Sequence, residues 1–155
     1  MNADGKRFTI VRTFDAPRAE VWRAWTDPAV AAAWWHPAGM RTPPESVRID
    51  LRAGGSFSYT MIGPDGDEHP TTGSYLEVRE PDRLVFTWGM PGDELAETPV
   101  ITVDLADAVD GGTEMTFHVD GVAGRPGDEN LYDGWTEAFD VLGELLTELL
   151  RGGRT

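Results

Sequence analysis

The stretch ENLYDGWTEAFDVLGELLTELL, residues 129–150, decides the fold. Leu131, Trp135, Ala138, Phe139, Leu142, Leu145, Leu146 and Leu149 recur at spacings of three and four, and Glu137, Asp140, Glu144 and Glu148 fall between them. That period puts the apolar groups of an α-helix on one stripe. At 1.5 Å per residue such a helix is about 33 Å long, comparable with the diameter of about 30 Å implied for a chain of this size. It therefore crosses the domain, and its stripe needs a partner surface of similar length.

Upstream of the helix the apolar period is two, the period of strands with one buried face. RFTIVRTF at Arg7 to Phe14 reads as a first strand. Val47, Ile49 and Leu51 alternate, then Phe57, Tyr59 and Met61 alternate across Gly54-Gly55, which predicts a hairpin. GPDGD at 63–67 is a second turn, TTGSYLEVR at 71–79 a strand, and Pro81-Asp82 separates it from LVFTWGM at 84–90. VITVDL at 100–105 and TEMTFHV at 113–119 flank the Asp110-Gly111-Gly112 turn. Seven strands result. Between the first strand and the meander lie two short helices. PRAEVWRAWT opens at Pro17, with Asp15 near its positive end, and AVAAAWW follows an Asp27 N-cap and Pro28 at the first helical position. The order predicts an α+β fold: a seven-stranded antiparallel sheet curved around the long closing helix, with two short helices after the first strand.

Composition narrows the function classes. A chain of 155 residues is read as one domain over 1–155. With 13 Lys and Arg against 27 Asp and Glu, the formal charge is −14. Such a surface repels nucleic-acid phosphates and anionic membranes, so neither is expected as a partner. The absence of Cys removes disulfides, thiolate zinc sites and Cys nucleophiles. The longest apolar run is Ala29 to Trp35, and MNADGKRF lacks an apolar signal core, so the expected location is cytoplasmic.

Several segments together resemble a known family. They are DLRAGGSFSYTMIGPDGDEHPTTGSYLEVREPDRLVFTW at 50–88, AWWHP at 33–37, DGGTEMTFHV at 110–119, and Gly134-Trp135 in the closing helix. They are similar, in the same order along the chain, to bacterial proteins named after the activator of Hsp90 ATPase. Those proteins belong to the START-like, or SRPBCC, superfamily with the helix-grip (Bet v 1-like) fold. The resemblance implies a hydrophobic cavity between sheet and long helix. The superfamily includes lipid carriers, hormone receptors and polyketide cyclases, so the fold alone does not select an activity. The Asn- and Trp-rich motif in the separate N-terminal domain of eukaryotic Hsp90 activators has no counterpart in these residues. A homodimer is compatible with the resemblance, and no sequence feature specifies one.

The residues that carry chemistry are weighed against packing. Trp25, Trp35, Tyr59, Tyr75, Phe86, Trp88, Trp135 and Phe139 are expected to wall a ligand-binding cavity, with Met61 as adaptable lining beside Met40 and Met90. The same rings would equally serve as core, since each buries about 150 to 250 Å². His36, after two Trp at a helix end, is a ligand contact or else a simple C-terminal cation. His69 and His118 are expected to face solvent. Three scattered His with no HExxH spacing predict no metal site, and no cofactor is expected. Within SYLEV, either Tyr75 and Glu77 or Leu76 and Val78 face inwards, and the cost of burying a carboxylate favours the apolar pair. The Pro- and Gly-rich segments 37–46 and 89–98 are expected to form the rim. Three functions follow: binding of a small hydrophobic or aromatic molecule; a cyclase- or hydrolase-like enzyme in which His36, Tyr59, Tyr75 or Glu77 moves a proton; and a co-chaperone-like interaction protein with a filled core.

Overall fold

The structure, a computed structural model, describes residues 7–36, 39–89, 98–108, 111–122, 124, 127 and 131–152. Its elements in chain order are β1 (Arg7–Phe14), α1 (Arg18–Thr26), α2 (Pro28–Ala31), a 3₁₀ turn (Pro44–Ser46), β2 (Arg48–Ile49), β3 (Ser56–Ile62), β4 (Glu68–Arg79), β5 (Arg83–Thr87), β6 (Val100–Asp107), β7 (Thr113–Asp120) and α3 (Leu131–Gly152). The seven strands form one curved antiparallel sheet in the order β1-β7-β6-β5-β4-β3-β2, gripped around α3. Consecutive hairpins build most of it, and β1 returns to close beside β7. This is the expected α+β helix-grip architecture.

Local rules explain the ends of the short helices. The Asp27 carboxylate accepts from the Ala29 amide at 3.0 Å and caps α2, with Pro28 at its start. The α-helical part is shorter than AVAAAWW. Beyond Ala31 the chain tightens: the Ala33 amide donates to the Val30 carbonyl and the Trp34 amide to the Ala31 carbonyl, each at 3.1 Å. The Trp34 indole then donates to the Ala24 carbonyl at 2.9 Å and fastens this turn to α1. The first strand of the expected hairpin is also shorter, because β2 pairs with β3 only at Arg48↔Ser58 and Ile49↔Phe57. Conversely β4 begins at Glu68, before Thr71, and β5 stops at Thr87, before Met90.

One register shift changes which side chains enter the core. Tyr75 faces Phe86 and Glu77 faces Val85, so Leu76 is an extra residue with nothing opposite it. Such a β-bulge breaks the strict alternation of faces. Tyr75 is 2% exposed and Leu76 is 49% exposed, while Val78 packs against the core. The preference for Leu76 and Val78 is therefore corrected: one residue from each alternative pair points inwards. Glu77 is partly exposed and pairs with Arg79 at 2.7 Å, so its carboxylate does not enter the interior.

Upstream of the bulge, β4 passes close to its neighbours at Gly73. A Cβ there would lie 1.9 Å from the Thr87 carbonyl oxygen and 2.4 Å from the Phe57 ring. Gly73→Ala is expected to lower stability by about 3 kcal/mol, at the upper end for overpacking, because the contact includes rigid backbone. Urea unfolding measures this. The same assay distinguishes the two sides of the bulge: Leu76→Thr is expected to stay within about 0.5 kcal/mol of the parent, and Tyr75→Ala to lose roughly 3 kcal/mol or more.

Candidate functional site

The interior is a continuous cluster of aromatic rings with Trp25 of α1 at its centre. Its centroid lies 4.7 Å from Trp34, 6.0 Å from Phe86 of β5, 6.1 Å from Phe117 of β7, and 6.1 Å and 6.3 Å from Trp135 and Phe139 of α3. One indole thereby touches the sheet, the long helix and the turn after α2. A second group extends towards β3, with Trp35 at 4.8 Å from Tyr59 and 5.9 Å from Phe57. Trp88, just after β5, stands 5.5 Å from Trp135 in an edge-on arrangement.

Between these groups lies a void of about 10 Å³, lined by Trp25, Trp35, Phe57, Tyr59, Tyr75, Leu84, Phe86, Trp88 and Trp135. That is at the lower limit for a single water, far below the roughly 300 to 1,000 Å³ of typical ligand pockets. The rings nearly close the space where a ligand-sized hollow was expected. Seven of the ten residues expected at a binding site surround it: Trp25, Trp35, Tyr59, Tyr75, Phe86, Trp88 and Trp135. Phe139 is fully buried behind Trp25, Met61 packs beside the core, and His36 is half-buried; none of the three is on the wall. Phe57 and Leu84 are on the wall without having been singled out. Their inward positions follow from the strand alternation that places Tyr59 and Phe86 inwards. Of the expected rim, residues 37–38 and 90–97, Met90 included, lie outside the described residues.

Few polar atoms face this apolar space. The Trp88 indole donates to the Tyr59 hydroxyl at 3.2 Å. Burial pushes the Tyr59 phenol up to about 12, against smaller opposing effects of its hydrogen bonds with Trp88 and Thr71. Burial also raises Tyr75, and the nearby Asp50 carboxylate adds to the shift. Both phenols thus remain protonated at neutral pH. Trp25 and Trp35 are different: each buries its indole N–H with no hydrogen-bond partner. A buried donor left without an acceptor costs about 1 to 3 kcal/mol.

At the edge of the cluster, the Thr42 hydroxyl donates to the Trp35 carbonyl at 2.8 Å. Its proton is thereby committed, so in the 3.3 Å contact between His36 Nδ1 and Thr42 the histidine is the donor. Burial lowers the His36 pKa, keeping the ring neutral with its other nitrogen as the acceptor. His118 lies on the outer face of the sheet, between Thr9 at 2.7 Å and Asp120 at 3.2 Å, and His69 is exposed. Among the described residues no group of His, Asp and Glu is arranged to hold a metal ion, and no helix is long and apolar enough to cross a membrane.

A curved antiparallel sheet closed over one long helix, with a ring-walled interior, defines a helix-grip protein. Within that class the chain belongs to the Activator of Hsp90 ATPase homolog 1-like family, which matches residues 15–147. Its structure is similar to that of a protein from Nitrosomonas europaea, with a TM-score of 0.80 and 25% identity over 95% of this chain and 97% of the other. A protein from Arthrobacter aurescens gives a TM-score of 0.79 and 26% identity over 96% and 90% of the two chains. An uncharacterised protein of the fission yeast Schizosaccharomyces pombe is 33% identical over 99 residues, which is 62% of this chain. The match spans about a quarter, 25%, of that relative's length.

The tyrosine shifts give a pH dependence. Both phenols bind their proton more tightly in the folded chain than the ordinary value of 10.0. Their contribution to stability is complete below pH 10 and is lost as pH rises from there towards the folded values. Tyrosinate absorbance near 295 nm from Tyr59 and Tyr75 is expected to appear only together with loss of the near-ultraviolet circular dichroism. Tyr59→Phe should weaken that alkaline dependence.

Proposed function

We propose that this chain binds a small, neutral, apolar or aromatic molecule carrying a hydrogen-bond acceptor, in the space between the sheet and α3. The observation that carries this reading is that Trp25 and Trp35, whose buried indole N–H groups have no hydrogen-bond partner, are both among the nine residues that line the void. Binding pockets combine an apolar wall with a few polar groups that fix orientation. A ligand carbonyl or ether oxygen would satisfy a donor that is otherwise buried at a loss. Charge is selected against. None of the nine wall residues is acidic or basic, so a carboxylate or ammonium would be desolvated without a counter-ion.

Binding of this kind fits the interior better than catalysis. An enzyme of the cyclase or hydrolase kind needs a proton acceptor beside its substrate. Tyr59 and Tyr75 are held protonated, Glu77 is occupied by Arg79 outside the core, and His36 is not on the wall. The interaction-protein reading has one specific observation in its favour, the small size of the void. It leaves the two orphan donors without a reason, because a core selected only for packing gains nothing from buried, unsatisfied N–H groups.

A thermal-shift comparison of 1-tetralone with tetralin separates these readings. The two are neutral fused bicycles of similar shape, and only the ketone accepts a hydrogen bond. Near saturation the ketone is expected to raise Tm by several degrees, and the hydrocarbon by much less. Equal shifts would remove the role given to the indole donors. No shift with either compound would favour the filled-core interaction protein.

A further inference from the structure

We infer that the Trp88 indole is a plug standing in the ligand's place, and that the ligand is a neutral fused-ring molecule with both an N–H or O–H donor and an acceptor, which enters by displacing it. This inference rests on the binding function proposed above. Of the nine side chains on the wall, eight are buried at 8% exposure or less, and Trp88 alone is partly exposed. Among the described residues it is therefore the most exposed ring on the wall of the void. Moving any of the other eight would disrupt the core, whereas moving Trp88 uncovers the space beneath.

The backbone around Trp88 is pinned on two sides. The Trp88 amide donates to the Pro99 carbonyl at 3.0 Å, and Gly89 exchanges two hydrogen bonds with Thr72, at 2.8 Å and 2.9 Å. Opening is thus a rotation of the side chain about its own bonds, with these backbone hydrogen bonds kept. What the indole leaves behind is a flat, two-ring space continuous with the void. The departing indole also takes its N–H away from the buried Tyr59 hydroxyl. Thr71 remains as the hydroxyl's other partner, and a ligand that replaces the indole regains the lost bond by offering a donor at that position, with an acceptor for Trp25 or Trp35 deeper in. The ligand class follows from those two requirements together with the absence of charge on the wall.

Oxindole is the probe: a neutral fused bicycle of indole size with one N–H and one carbonyl. The protein is labelled with 5-fluorotryptophan, and its ¹⁹F resonances are followed as oxindole is added. Trp88→Phe assigns the Trp88 signal, and Trp22, which is not on the wall, serves as reference. The expected result is saturable binding in which the Trp88 resonance moves to the position of an exposed fluorotryptophan while that of Trp22 stays. N-methyloxindole, with its donor blocked, and indole, without the carbonyl, are each expected to bind more weakly. Trp88→Ala, which no longer competes, is expected to bind oxindole roughly tenfold tighter, as removal of a mostly closed state requires.

Binding with the Trp88 resonance unmoved would overturn the plug and leave the binding function standing. Binding to Trp88→Ala but not to the parent would also overturn it, because the hole would then be an artefact of the substitution. If oxindole binds to neither protein, the plug falls, and the shift with 1-tetralone decides whether the binding function stands.

Discussion

The structure depends on the burial of Trp25. Among the described residues outside the sheet and α3, it is the one side chain in ring contact with both, with the sheet through Phe86 and Phe117 and with the closing helix through Trp135 and Phe139. A curved sheet and a straight helix diverge away from their line of contact, and side chains must fill the resulting wedge. Large rings do so with few rotatable bonds, so they bury much area at a small loss of conformational entropy. The short helices after β1 matter for the same reason. With the turn after α2, they deliver Trp25, Trp34 and Trp35 into the wedge.

That arrangement leaves polar groups inside a space otherwise filled by rings. If every ring were optimally packed and every polar atom paired, the interior would be a plain core. Instead two indole donors are buried without acceptors, and the Tyr59 hydroxyl is served by a ring at the protein's edge. All three residues line the same void.

How much of this was legible in the sequence depended on whether the signal was local. The apolar stripe of the closing helix, the Asp27-Pro28 helix start and the glycine turns could all be read directly, because period, caps and turn types follow from backbone sterics over a few residues. Tyr59, Phe86, Trp88 and Trp135 were recognisable as wall residues from their inward strand or helix positions. Leu76 was not legible. A bulge comes from how β4 must bend between two neighbouring strands, and the residues SYLEV alternate equally well in either register. Phe57 and Leu84 escaped notice because nothing in their identity separates a wall residue from any other core residue.

By itself, the sequence determined the helix-grip architecture, the acidic surface and the aromatic character of the interior, since composition and periodicity are properties of the chain alone. Only the tertiary structure decided how nearly the rings fill the space, which indole donors lack acceptors, and that Trp88 rather than a deeper ring meets solvent. Those are differences between large opposing packing and hydrogen-bonding contributions from residues far apart along the chain. They exist only once the sheet has bent around the helix.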